Sequence, residues 1–189
     1  MPYVVVLLVL AGPPGIVAAS EAPSYYDRHV IFDNSSAGDA FDRSRGSVVE
    51  PSSLDLIEGM LPVAVERFTS PPNALRLSWR SAFGGDWQAS IRVGRHYARP
   101  FHFEGDALSL RVMADTQITA ANSPRLYLTD RNGHGTPAVT LVSGDNRIAA
   151  GEWTTVTLRF ADILDEPVKN TRDNEFTIAE VASVNFTQG

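Results

Sequence analysis

The sequence predicts an all-β fold, a β-sandwich or jelly roll, on three observations. Runs of about four to eight residues alternate apolar and polar side chains with period two, clusters of Gly, Pro, Asn and Asp separate them, and almost no stretch carries a long helical period. The chain has 189 residues, 43% of them hydrophobic, which is enough to enclose one core and too few for two domains of ordinary size. A formal net charge of -6 argues against a nucleic-acid partner, whose footprint would be basic.

Residues 1–19 open with an apolar run from Tyr3 to Ala11, then a Pro/Gly break and the small-residue triplet Val17-Ala18-Ala19. That order resembles a secretory leader with its cleavage site, and places the mature protein outside the cell or in the periplasm. The segment before the run carries no Lys or Arg, so a buried strand is the alternative reading. The run is also shorter than the about 20 apolar residues of a membrane span, so no span is expected in the mature chain. Residues 20–29 read as a linker and residues 30–189 as the β-sandwich domain. The chain has no cysteine, so its core has to hold without disulfides.

Within the domain the first strand is expected at residues 28–33. The turn-rich stretch 33–46 follows, with Asp33, Asn34, Asp39 and Asp42 close together. Oxygen side chains at this density can hold a structural calcium, and they equally suit Asx turns in a solvated loop. Ser52 or Ser53 can cap a helical turn over 52–58, and 63–68 reads as a short strand. The clearest signal is residues 74–94, ALRLSWRSAFGGDWQASIRVG, which reads as a hairpin. Leu75, Leu77 and Trp79 alternate with Arg76, Ser78 and Arg80; Trp87, Ala89, Ile91 and Val93 alternate with Gln88, Ser90 and Arg92. Further strands are expected at 107–113, 125–129, 137–142, 153–160 and 182–188, with one helical turn at 162–164.

The phase of each strand assigns the large aromatics. Trp79 and Trp87 share faces with Leu and Ile and read as core, as does Phe160 with Val156 and Leu158. Trp153 falls out of phase, beside Thr155 and Thr157. The polar faces repeat arginine and keep acids in the loops, where an ordinary solvated sheet would pair Arg with Glu across strands. A guanidinium fork can hold two hydroxyls at once and lie flat on a ring, chemistry that suits a carbohydrate platform; loop acids folding back over the arginines is the alternative.

Catalytic patterns are weak. Glycosidase chemistry needs two carboxyl groups flanking the scissile bond, and Asp162, Asp165, Glu166, Asp173 and Glu175 all read as loop residues. A lyase needs a Tyr or His acid and base with Arg against a uronate; His96, Tyr97, Arg99 and His102 supply those types, while Gln117-Ile118-Thr119 lacks the histidine of the alginate-lyase strand motif. No nucleophile elbow, phosphate-binding glycine loop or zinc-spaced His/Cys set occurs.

Taken together, FDNSSAGDAF, ALRLSWRSAFGGDWQASIRV, ALSLRVMA, PRLYLTDRNG, GEWTTVTLRFADIL and VASVNFTQG resemble the successive strands of a galactose-binding-domain-like carbohydrate-binding module. Such modules accompany bacterial glucan-active glycoside hydrolases. The resemblance runs from about Val30 to Gly189. It implies a β-jelly roll, non-catalytic binding of a polysaccharide or oligosaccharide, a structural calcium, and a covalently linked catalytic domain in a longer parent. Its ligand face lands on Arg76, Gln88, Arg92, Arg111, Arg125 and Tyr127. It also implies a further Asp-rich strand after the closing Phe-x-Gln-Gly, so the sandwich is expected to lack its last strand here. The alternatives are a jelly-roll polysaccharide lyase and an adhesion or protein-interaction sandwich with no sugar ligand.

Overall fold

The computed structural model describes residues 3–11, 29–32, 34–35, 38–93, 105–164 and 176–188. They form an all-β sandwich of antiparallel sheets, with strands numbered in chain order. The first sheet runs in the order β13 (Trp153–Arg159), β8 (Ala107–Ala114), β1 (Tyr3–Ala11), β6 (Ala74–Arg80), β4 (Ser53–Leu54); β2 (His29–Phe32) also pairs with β1, and β5 (Val63–Ala64) with β6. The second runs β11 (Val139–Thr140), β10 (Arg125–Asp130), β14 (Val181–Thr187), β7 (Asp86–Arg92), β3 (Ser44–Val49). A small ladder joins β9 (Ile118–Thr119) to β12 (Arg147–Ile148), and α1 (Phe160–Leu164) follows β13.

Alternation builds the core from both sheets. The first contributes Leu75, Leu77 and Trp79 from β6 and Leu108, Leu110 and Val112 from β8. On the second, register sets Leu126 opposite Phe186 and Phe186 opposite Ala89, then Leu128 opposite Val184 and Val184 opposite Ile91. All of these are buried, and the two rows form one continuous apolar layer.

Residues 74–94 do not form a hairpin. β6 belongs to the first sheet and β7 to the second, and loop 81–85 carries the chain between them. A hairpin and a sheet-to-sheet crossing show the same period-two pattern and the same connection length, so the alternation identifies the dry face and leaves the partner open. The tertiary arrangement decides it: the dry faces of β6 and β7 meet across the core, with the Trp79 and Trp87 rings 5.5 Å apart and tilted by 37°. The Trp87 indole Nε1 donates to Ser81 Oγ at 3.0 Å, so its polar edge is satisfied at the corner. Ala82 N donates to Ser52 Oγ at 3.0 Å, and Gln188 Nε2 donates to the carbonyls of Ala82 and Gly85 at 3.1 and 3.2 Å. A Cβ on Gly85 would stand 2.4 Å from Ser52 N, so only glycine lets the crossing close against this segment.

Several boundaries move. The helical turn expected over 52–58 is absent: Leu54 pairs with Trp79 in β4, Asp55 N donates to the Ser78 carbonyl at 2.8 Å, and a tight turn through Glu58 and Gly59, both at positive φ, links Ile57 to Met60. Ladder bonds to β6 satisfy backbone groups that a single helical turn would leave open. The expected strands at 63–68 and 137–142 shrink to Val63–Ala64 and Val139–Thr140, whereas the turn at 162–164 is the end of α1. The apolar run from Tyr3 to Ala11 forms β1, paired along its length with β8 and along its first half with β6.

Trp87→Ala should lower stability by about 3–5 kcal/mol, a large part of the about 5–15 kcal/mol of an ordinary domain. Phe83→Ala, at the fully exposed tip of the crossing loop, should stay within about 0.5 kcal/mol. Denaturant melts of the two variants compare these directly.

Candidate functional site

The outer face of the second sheet gathers four of the six residues expected to bind ligand. Gln88 and Arg92 stand on β7 and Arg125 and Tyr127 on β10, with β14 between them. Register sets out three rows: Arg125, Thr187, Gln88; Tyr127, Asn185, Ser90; and Thr129, Ser183, Arg92. β3 extends two of them with Ser47 opposite Gln88 and Arg45 opposite Ser90. The face is thus made of hydroxyl, amide, phenol and guanidinium groups. Its apolar counterparts on the same strands point into the core because side chains alternate across a strand.

The polar groups hold one another in place. Gln88 Nε2 donates to the Tyr127 hydroxyl, reaching over β14. Asn185, buried in the middle row, donates from Nδ2 to Thr129 Oγ1 at 2.9 Å and to Ser183 Oγ at 3.2 Å. Arg125 donates to the Ala138 carbonyl at 2.8 Å. Partial burial, and then the negative charge of Asp86, push the Tyr127 phenol above its ordinary value against the lowering effect of the Gln88 bond, so it is a neutral donor throughout the physiological range. Arg92 is exposed, and among the described residues it has no ion pair.

Arg76 and Arg111 lie elsewhere, on the outer face of the first sheet, separated from the other four by the thickness of the core, about 10 Å between sheets. The expectation of one six-residue ligand face is therefore corrected: β6 and β7 present their polar sides to opposite surfaces because they belong to opposite sheets. Arg76 also shows the alternative foreseen for the arginines, since Asp55 from the neighbouring turn pairs with it at 2.9 Å. Arg111 is exposed.

Of the residues expected to hold calcium, Asp33 lies outside the described residues, and Asn34, Asp39 and Asp42 are exposed. Among the described residues, no group of three or more His, Cys, Asp or Glu side chains is placed to hold a metal ion. His96, Tyr97, Arg99 and His102, the lyase candidates, and Asp165, Glu166, Asp173 and Glu175 also fall outside the described residues.

Ser90, Ser183 and Asn185 were not among the residues expected to bind ligand, because small polar residues on strands carry no carbohydrate-binding motif. The available signal was their alternation with Ala89, Ile91, Val184 and Phe186. Asp130 was likewise missed. Its side chain is fully buried at the end of β10. Oδ1 accepts from the backbone N–H of Asn132 and of His134, each at 2.9 Å, while Oδ2 accepts from Thr177 N at 3.3 Å and lies 3.2 Å from His134 Nδ1. Burial alone would raise this carboxyl. The backbone donors of His134, Thr177 and Asn132, with the His134 ring, outweigh it and hold the pKa below the ordinary value. One carboxylate thereby ties the 130–134 turn to the segment that leads into β14.

Comparison with known proteins shows similarity to glucan-active enzymes. An exo-β-1,2-glucooligosaccharide sophorohydrolase (non-reducing end) of Parabacteroides distasonis is 27% identical over 164 residues, which make up 87% of this chain and 22% of that protein. The crystal structure of a β-1,2-glucanase from Parabacteroides distasonis superposes with a TM-score of 0.71 and 25% identity, over 85% of this chain and 22% of that one. The chain spans 22% of the length of each. No family model matches it. It is thus similar to one part of a glucan-active glycoside hydrolase.

A carboxyl whose folded pKa is depressed contributes stability that is present above its unfolded pKa of about 3.9 and lost as pH falls through the folded value. Asp130→Ala should therefore cost about 1.5–3 kcal/mol at neutral pH, the worth of hydrogen bonds to a charged group, since the backbone donors it leaves at Asn132, His134 and Thr177 are only partly buried and can turn to water. The deficit relative to wild type should shrink below about pH 4. Melts from pH 7 down to acid read both effects.

Proposed function

We propose that this chain is a non-catalytic, glucan-binding β-sandwich, an accessory part of a larger secreted or periplasmic glucan-active hydrolase. The observation that carries the proposal is the outer face of the second sheet, where Arg125, Tyr127, Gln88, Ser90 and Arg92 surround the buried Asn185 in three registered rows. A neutral polyol chain needs interleaved donors and acceptors, already oriented, with little desolvation of charge. The bonds from Gln88 to Tyr127 and from Asn185 to Thr129 meet that need, because side chains held in place lose less rotamer freedom when a sugar arrives. The similarity to β-1,2-glucan-active proteins supports glucan as the ligand class. Val48, Val49 and Phe83, exposed on β3 and the crossing loop, suit contact with the rest of a longer polypeptide.

Affinity electrophoresis in gels containing β-1,2-glucan, a β-1,3-glucan or an acidic polysaccharide tests this reading. The wild type should be retarded by a neutral glucan, and the effect should survive added salt because no charge pair carries it. Arg92→Ala and Tyr127→Ala should melt like the wild type, yet weaken retention about two- to tenfold each, the effect of one lost hydrogen bond. Equal retention of the wild type and both variants would remove the second-sheet face as the site.

A further inference from the structure

We propose that the first sheet carries a second saccharide site, separate from the face described above: a cleft that holds one sugar ring against Trp153 and Phe68. The proposal deepens the reading of the chain as glucan-binding and rests on it. Trp153, at the start of β13, is only partly buried, and it lines a cleft of about 560 Å³ together with Glu66, Arg67, Phe68, Met113 and Gly151. Small-molecule sites fall at about 300–1,000 Å³.

The lining has the composition that a pyranose requires. A sugar ring has apolar C–H faces and a polar rim, and an aromatic wall takes the face while charged or forked groups take the hydroxyls. Phe68 stays 38% exposed, and it and the partly buried Trp153 indole both line the cleft. At the rim, Asp115 pairs with the Arg67 guanidinium and orients it. Glu66, exposed beside it, adds acceptors. Gly151, at φ 77°, turns the chain into β13 and donates its N–H to the Ala114 carbonyl at 2.8 Å, leaving the wall beside Trp153 free of a side chain.

Register extends the site along the sheet. Trp153 stands opposite Met113, Met113 opposite Val5, and Val5 opposite Arg76, in one row across four strands. Two residues on, roughly 6.6 Å along the strands, Thr155 stands opposite Arg111. The two arginines that do not belong to the second-sheet face therefore share a surface with the cleft. A longer oligosaccharide anchored at Trp153 would run toward Arg111 and Thr155.

The protein contains three tryptophans, and two of them are core residues, Trp79 at 4% and Trp87 at 1% exposure. Iodide quenching of tryptophan emission thus reports Trp153. Titration with glucose disaccharides of β-1,2, β-1,3 and β-1,4 linkage should lower the quenching constant at least twofold with one of them. Phe68→Ala should weaken that protection roughly three- to tenfold, the worth of one aromatic contact. Tyr127→Ala should leave it intact. An unchanged quenching constant with all three sugars overturns the cleft as a saccharide site. If gel retention persists in that case, the second-sheet reading stands alone; if the sugars protect Trp153 while Arg92→Ala and Tyr127→Ala leave retention unaltered, the cleft stands and the second-sheet face falls.

Discussion

The contact between Trp79 and Trp87 across the core is the constraint on which the rest of the sandwich depends. It joins the last inward residue of β6 to the first inward residue of β7, so the five residues between the two strands, 81–85, must carry the chain from one sheet to the other. Once that crossing is made, the strands on either side of it are committed to different layers: β4, β5 and β1 pair with β6, β3 and β14 with β7. The corner is held by bonds from distant parts of the chain, Ser52 and Gln188, which tie the approach to β4 and the end of β14 to the same few carbonyls. A local turn alone would not specify this geometry, whereas the burial of two indoles does, because each is worth several times an ordinary hydrogen bond.

The same crossing distributes the chemistry. In a hairpin, Arg76, Arg80, Gln88 and Arg92 would have made one polar surface. In the sandwich they make two, and the surfaces differ in character. The second-sheet face is a flat network of amides, hydroxyls and a neutral phenol, whose members bond mainly to one another. The first-sheet face is uneven: the turn after β4 brings Asp55 onto Arg76, and the segment after β5 places Arg67 and Phe68 beside Trp153 to form a cleft. Arg76 Nε is buried there with no acceptor among the described residues.

β1 occupies the middle of the first sheet in backbone terms. β6 and β8 each run antiparallel to it and are joined through it, so the ladder satisfies donors and acceptors on both of its edges. Its sequence, YVVVLLVLA, lacks the alternation shown by β6 and β8. A uniformly apolar run has no preferred face, which is why periodicity alone left it open between a leader segment and a buried strand. Asp130 illustrates the reverse case. Asp-Arg-Asn-Gly is an evident turn in the sequence, yet the donor from Thr177, 47 residues away, could not be read there.

The sequence by itself determined the layer architecture, the dry faces of alternating strands such as β6, β7 and β13, and the burial of both core tryptophans, because the two-residue period of a strand records which side meets apolar neighbours. It also indicated that arginine, amide and hydroxyl groups would face outward, and that Trp153 would not join the core row. Only the tertiary structure decided which strands share a sheet, since pairing partners are chosen by register and packing between segments far apart in the chain, and a crossing loop has the composition of a hairpin loop. For that reason the candidate ligand residues were legible as a type and their grouping was not. Four converge on one face, two lie behind the core, and the groups that complete each surface, Asn185 on one and Phe68 on the other, become neighbours of those residues only when the chain is folded.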